Sequence, residues 1–313
     1  MANTVFLPEG SLIHTEQNTK LLSNSEMLRF AEETETIVEG MATMCDTEHN
    51  LIVDLGGIRG IIPREETAIG IEDGSTREIA VISRVGKPVT CIIRSIAITP
   101  DKTELFLSRK AAQEKALHSM LRHLTRGDVI PATVTHIEPF GAFVDIGCGN
   151  ISLIGIETLS VSRISHPSDR LSPGDKILAV VSDIDSDNRR IYLSHRELLG
   201  TWEENASKFK VGETVRGIVR GTEPYGTFIE LSPNLSGLSE YRGELAAGDA
   251  VSVFIKSIIP EKMKIKLVVI DTLAHGYKRH ILPEDYFITS GHIDSWQYSP
   301  PGCKTKLIQS IFD

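Results

Sequence analysis

The sequence predicts a mainly β protein: three tandem five-stranded barrels joined by short α-helical linkers, with an N-terminal helical segment and a small β-containing C-terminal appendage. Three observations carry this. The segment PFGAFVDI at 139–146 returns as PYGTFIEL at 224–231, matched at eight positions by identity or physical type, and a weaker copy, HNLIVDL, stands at 49–55. The acid that marks each copy, Asp54, Asp145 and Glu230, recurs after 91 and then 85 residues, the length of one small domain. Each copy is followed by short β-rich runs separated by turn residues.

Residues 1–39 hold seven acids and two bases, with a helix expected over 25–39. Residues 40–109 form the first repeat, whose later strands are marked by the Gly86-Lys87 turn and by the run Glu104-Leu105-Phe106-Leu107-Ser108. Residues 110–126 are a linker helix: Ala112, Ala116, Leu117, Met120, Leu121 and Leu124 fall at helical spacing, with bases elsewhere around it. The second repeat, 127–197, opens on Val129-Ile130-Pro131-Ala132-Thr133-Val134, runs straight into the aromatic-glycine segment, turns at Pro173-Gly174-Asp175 and ends on Arg190-Ile191-Tyr192-Leu193. Residues 198–211 are a second linker, broken by Gly200 and restarting at Thr201. The third repeat, 212–270, repeats the order with an Ala247-Gly248-Asp249 turn and a last strand at Lys264-Ile265-Lys266-Leu267. Residues 271–313, richer in aromatics and turns, are the appendage. Five short strands per unit, closed on themselves, make an OB-fold barrel the economical solution.

Composition excludes several classes. The chain has 313 residues, 41% hydrophobic and 24% charged, which is ordinary for globular domains. Cys45, Cys91, Cys148 and Cys303 stand far apart with no CxxC pair, so they are expected reduced and structural, with no zinc or iron-sulfur ligand set. The start lacks a basic stretch followed by an apolar core, and no run of about 18 apolar residues follows, so the expectation is a cytoplasmic protein with no membrane contact. No clustered His/Asp/Glu set, nucleophile motif or phosphate loop stands outside the repeats; the expectation is a non-enzyme with no cofactor. The net charge of −9 argues against binding that relies on neutralising many phosphates.

Side chains alternate along a strand, so Phe143 shares a face with Asp145, and Phe228 with Glu230. An acid is not expected to face a dry core, which places Phe143 and Phe228 outside and buries Val144, Ile146, Ile229 and Leu231. Phe140 and Tyr225, across a glycine, reach the same surface through the local bend or bulge that glycine permits. The alternative is that these rings are core residues in the opposite register; two copies with the acid at one offset weigh against it. Exposed aromatic pairs on such barrels stack the bases of single strands. In the last strand, Arg190 shares the outer face with Tyr192, as a contact to phosphate or base or as an ordinary solvated arginine. Lys264 and Lys266 fill the outer positions of the third repeat, with Lys256 and Lys262 nearby.

PFGAFVDIG, PYGTFIEL, the PGD and AGD turns and the NRRIYLS ending resemble the S-one RNA-binding motif of bacterial ribosomal proteins, over residues 37–109, 127–197 and 212–270. That resemblance implies an RNA surface of two aromatics, a histidine, an aspartate and a basic residue. The second repeat offers Phe140, Phe143, Asp185 and Arg190, with Gly155 where the histidine would stand. The third offers Tyr225, Phe228 and Lys264, with Glu240 near the histidine position. The first has His49 and Ile52 at the aromatic positions, Pro63 near the histidine position and Glu104 where a base belongs, so it is degenerate. The expected function is non-enzymatic binding of single-stranded RNA, mRNA in a ribosomal context, with the N-terminal segment and first repeat docking on the 30S ribosomal subunit. The alternative is a protein-interaction scaffold for the ribosome or for an RNA-decay or transcription complex.

Overall fold

The computed structural model describes residues 6–99, 102–303 and 306–312. Two short helices, α1 (Glu16–Leu21) and α2 (Ser25–Glu33), open the chain. Thr15 and Asn24 cap them, each side-chain oxygen accepting an N–H from the first turn. The second helix stops well short of residue 39, because the chain turns through Glu35 at φ 48° and enters the first barrel at Val38.

That barrel holds β1 (Val38–Cys45), β2 (Leu51–Asp54), β3 (Arg59–Ile62), a short helix α3 (Ile79–Ile82), β4 (Pro88–Thr99) and β5 (Lys102–Ser108). Helix α4 (Arg109–His123) follows. The second barrel comprises β6 (Val129–Glu138), β7 (Gly141–Asp145), β8 (Ile151–Gly155), β9 (Lys176–Asp185) and β10 (Arg190–Ser194), with α5 (Ile156–Leu159) after β8. After a 3-10 turn at Arg196–Leu199, Gly200 at φ 79° breaks the path; Thr201 and Glu204 then form a capping box that starts α6 (Trp202–Ala206). The third barrel is β11 (Thr214–Glu223), β12 (Gly226–Ser232), β13 (Leu235–Ser239), β14 (Ala250–Ile259) and β15 (Lys264–Ala274). The appendage carries one antiparallel hairpin, β16 (Ser295–Gln297) with β17 (Gln309–Ile311).

Each barrel closes in the same order, first, second, third, fifth, fourth strand, with the third and fifth parallel. This is the OB-fold arrangement the strand pattern predicts. The turn into the fourth strand is built alike in the second and third barrels. Gly174 and Gly248 sit at φ 96° and 94°, where a Cβ would be strained, and each donates its N–H to a first-strand carbonyl, Val134 and Val219, at 2.8 Å. Asp175 and Asp249 then close the loop by accepting the N–H of the residue three back.

The chain divides into two compact units. The first holds the chain up to His123 with Pro131–Thr133 and Asp145–Ile151; the second holds the remainder. The first is packed on Leu28, Val38, Leu51, Val53, Ile62, Leu105 and Leu107. In the second, Trp202 of α6 and Trp296, Tyr298 and Phe312 of the appendage pack against the interior of the third barrel. Asn234 is fully buried there and fully used: its Oδ1 accepts from Val161 N–H, its Nδ2 donates to the carbonyls of Arg196 and Gly200, and its own carbonyl accepts from Tyr298 Oη.

Candidate nucleic-acid interface

In the third barrel the strand register assembles one row across four strands. Gly221 on β11 faces Phe228 on β12, Phe228 faces Leu238 on β13, and Leu238 faces Lys266 on β15. Tyr225 stands at the turn beside this row, 69% exposed, its ring 6.0 Å from that of Phe228 at 88°. The second barrel repeats the row. Phe140, 55% exposed, lies 6.0 Å from Phe143 at 87°. Leu153 contributes the apolar neighbour on β8, and the pairing of Leu193 with Ile154 brings Tyr192 alongside it, since β8 and β10 run parallel. Phe143 and Phe228 are half-buried and outward; Tyr192, Arg190, Lys264 and Lys266 are exposed on the last strand.

The glycine between the two rings has a steric reason in both copies. A Cβ at Gly141 would lie 2.4 Å from the carbonyl oxygen of Ile154, and one at Gly226 2.5 Å from that of Ser239. Close approach to the third strand is thus a reason for glycine at this position in both copies.

The acids require a correction. Asp145 and Glu230 point outward as expected, yet both are buried rather than solvated, because other segments cover them. Asp145 accepts the N–H of Glu9 at 2.7 Å and those of Gly147 and Gly149 at 2.8 and 3.0 Å. Burial first, and the charge of Glu9 second, push its carboxyl up to about 7, while the Glu9 and Gly147 amides pull the other way. Glu230 accepts from Arg170 and, at 2.7 Å, from Arg220, and Arg220 also lies 3.7 Å from Asp169. Arg170 is wholly buried, and that burial lowers its pKa.

Asp185 has a structural use. It bonds the amide and side-chain nitrogens of Asn188 at 2.9 and 2.8 Å, fixing the β9–β10 turn opposite Arg190, and the Asn188 bonds hold its carboxyl below the usual range. With Asp183, Asp187 and Tyr192 it lines an open notch. No group of three His, Cys, Asp or Glu placed to hold a metal occurs among the described residues.

The place of His136 on β6 beside these rings was not legible from residue order. Its ring is stacked on Phe143, centroids 6.3 Å apart and planes 25° apart, and its Nε2 lies 2.7 Å from Glu138 Oε1. Leu153 and Leu238 were also missed, as apolar residues on the outer face. Only strand register identifies them.

In the first barrel, Ile52 is buried, His49 sits in a turn at φ 64° with Nδ1 3.4 Å from Glu78, and Glu104 lies 3.8 Å from Arg59. That barrel offers no aromatic pair of this kind among the described residues.

Residues 124–196, which contain the second barrel, match the family described as S1 RNA binding domain. The chain is 33% identical over 233 residues to the small ribosomal subunit protein bS1 of Leuconostoc lactis, covering 69% of this chain and 52% of that protein. It is 33% identical over 193 residues to the bS1 homolog of Bacillus cereus, covering 60% and 48%. Similarity to bS1 of Staphylococcus saprophyticus extends over 303 residues at 27% identity, covering 91% and 73%. The chain thus spans about half the length of the first two of these relatives.

Proposed function

We propose that the chain binds single-stranded RNA, without catalysis, through the outer rows of its second and third barrels, on the premise that residues 124–196 match the S1 RNA binding domain family within a chain of three closed five-stranded barrels. The observation that carries this is the duplicated ring geometry: two exposed aromatic pairs with the same 6.0 Å separation and near-perpendicular planes. A stability role does not require Phe140 and Tyr225 to stand mostly in solvent. Base–aromatic stacking contributes about 1–3 kcal/mol per base, so four rings gross about 4–12 kcal/mol before the cost of ordering the strand. Arg190, Lys264 and Lys266 add phosphate contacts beside the rings, and Asp185 holds the turn that presents Arg190. Stacking of this kind favours single strands, whose bases are free to leave the helix.

The relatives named as small ribosomal subunit proteins support the small ribosomal subunit, in the cytoplasm, as the setting, and messenger RNA is the strand proposed to be bound there. The first barrel, with Ile52 buried and Glu104 beside Arg59, is the part proposed to dock on that subunit with the N-terminal segment. No described helix is long and apolar enough to cross a membrane.

The test is a binding titration of the full chain with poly-U at several salt concentrations. Phe143→Ala combined with Phe228→Ala should weaken binding at least about tenfold. The wild-type salt slope should stay well below that of a protein making about 6 to 10 phosphate contacts. Unchanged affinity in the double variant overturns the reading.

A further inference from the structure

The two rows are not equal: besides Tyr192 standing where the third barrel has Lys266, they differ at one position on the first strand. His136 in the second barrel corresponds to Gly221 in the third: both stand three residues before the shared proline, Pro139 and Pro224, and both lie against the half-buried phenylalanine of the next strand. We infer that His136 is a stacking ring of the second barrel beside Phe140 and Phe143, seating a base at a place where the third barrel has no ring. This rests on the reading that the rows bind single-stranded RNA.

Successive stacked bases have nearly parallel planes. Phe140 meets Phe143 at 87°, so the two rings cannot both continue a single stack. The imidazole of His136 lies only 25° from the Phe143 plane at 6.3 Å, within the spacing of offset stacked rings, so it can. Its side chain is 63% exposed, which leaves ring surface free. Glu138 holds the ring by its Nε2 at 2.7 Å, so little rotamer freedom remains to be lost when a base arrives.

Stability gives no competing reason for the residue. An exposed His–Glu pair contributes little to folding, and the third barrel keeps the matching acid, Glu223, without the ring. The empty place is real space: a Cβ built on Gly221 meets nothing within 4 Å, and its φ is not in the left-handed region. A side chain can therefore be transplanted there.

The experiment uses the full chain and fluorescence anisotropy with oligo-U. With the third barrel silenced by Tyr225→Ala and Phe228→Ala, adding His136→Ala should weaken binding about tenfold, the effect of losing one stacked base. His136→Phe, which keeps a ring but not the bond to Glu138, should retain most of the affinity; His136→Gln should behave like His136→Ala. With the second barrel silenced by Phe140→Ala and Phe143→Ala, Gly221→His should raise affinity at least about threefold. No loss in His136→Ala, while Phe143→Ala in the same background still removes binding, overturns this inference and leaves the RNA surface standing. No loss in either variant overturns both. A His136→Gln variant that binds like wild type also overturns the stacking role.

Discussion

Lys264 and Lys266 both face solvent, but strand register separates them. Lys266 is aligned through Leu238 with Phe228, whereas Lys264 lies two residues back, at the turn where it pairs with Ile259. On the proposed reading, a phosphate joining bases stacked on Tyr225 and Phe228 would lie nearest Lys266, the cation in register with Phe228. Lys266→Gln should therefore lower the salt dependence of RNA binding by about 0.7, the share of one single-strand phosphate contact, and Lys264→Gln by clearly less. Equal slopes in the two variants count against this alignment. The corresponding position in the second barrel is Tyr192, so that row is ring-rich where the third is cationic. Under the proposed reading, rings rather than charge carry the contact in the second barrel, which holds more acids than bases. The outward direction of Phe143 and Phe228 was legible from alternation alone. The reason for the acids was not, because whether Asp145 and Glu230 are wet depends on segments far along the chain, Glu9 and Arg170, that no local pattern reports.

Between elements, the second unit is held by charge and amide networks rather than by apolar packing alone. Glu230 on β12 accepts from Arg170, which follows the 3-10 turn Pro167–Asp169, and from Arg220 on β11. Removing one partner of a buried pair strands the other in a dry site. Glu230→Ala should destabilise the second unit by about 3–5 kcal/mol, measured by denaturant unfolding; a loss below about 1 kcal/mol would show that Arg170 finds solvent or another acceptor. Strand order and the Gly174 and Gly248 turns could be read from the sequence because each is a local signal repeated in every copy. The end of α2 could not, since β1 claims Val38 onward and pairing with β4 outweighs helical propensity.

At the scale of the whole molecule, the two units carry opposite pH responses. In the first, Asp145 binds its proton up to about pH 7 against an ordinary 3.8. The folded state then holds a proton that the unfolded chain has released, so this contribution is full below about pH 4 and is lost as pH rises to 7. In the second, burial lowers His195 from 6.5 to about 4, with Nδ1 at the Leu159 carbonyl and Nε2 at Tyr286 Oη. The unfolded chain takes up a proton the folded imidazole refuses, so this contribution is present above 6.5 and lost as pH falls toward 4. Hydrogen exchange, corrected for its intrinsic pH dependence, should therefore show the first unit gaining and the second losing protection from pH 7.5 to pH 5. Asp145→Asn and His195→Gln should each flatten the response of their own unit; persistence of both slopes in these variants rules the assignment out.

The buried acids have one more consequence, which concerns time. Each is grasped in part by residues that come well before it in the chain: Asp145 by the amide of Glu9, besides those of Gly147 and Gly149, and Glu230 by Arg170 and Arg220. During synthesis the holder leaves the ribosome before the residue it holds, and domains generally fold as units in that order. In the second and third repeats, the position that marks the repeat in the sequence thus also serves as a latch onto chain that has already been made.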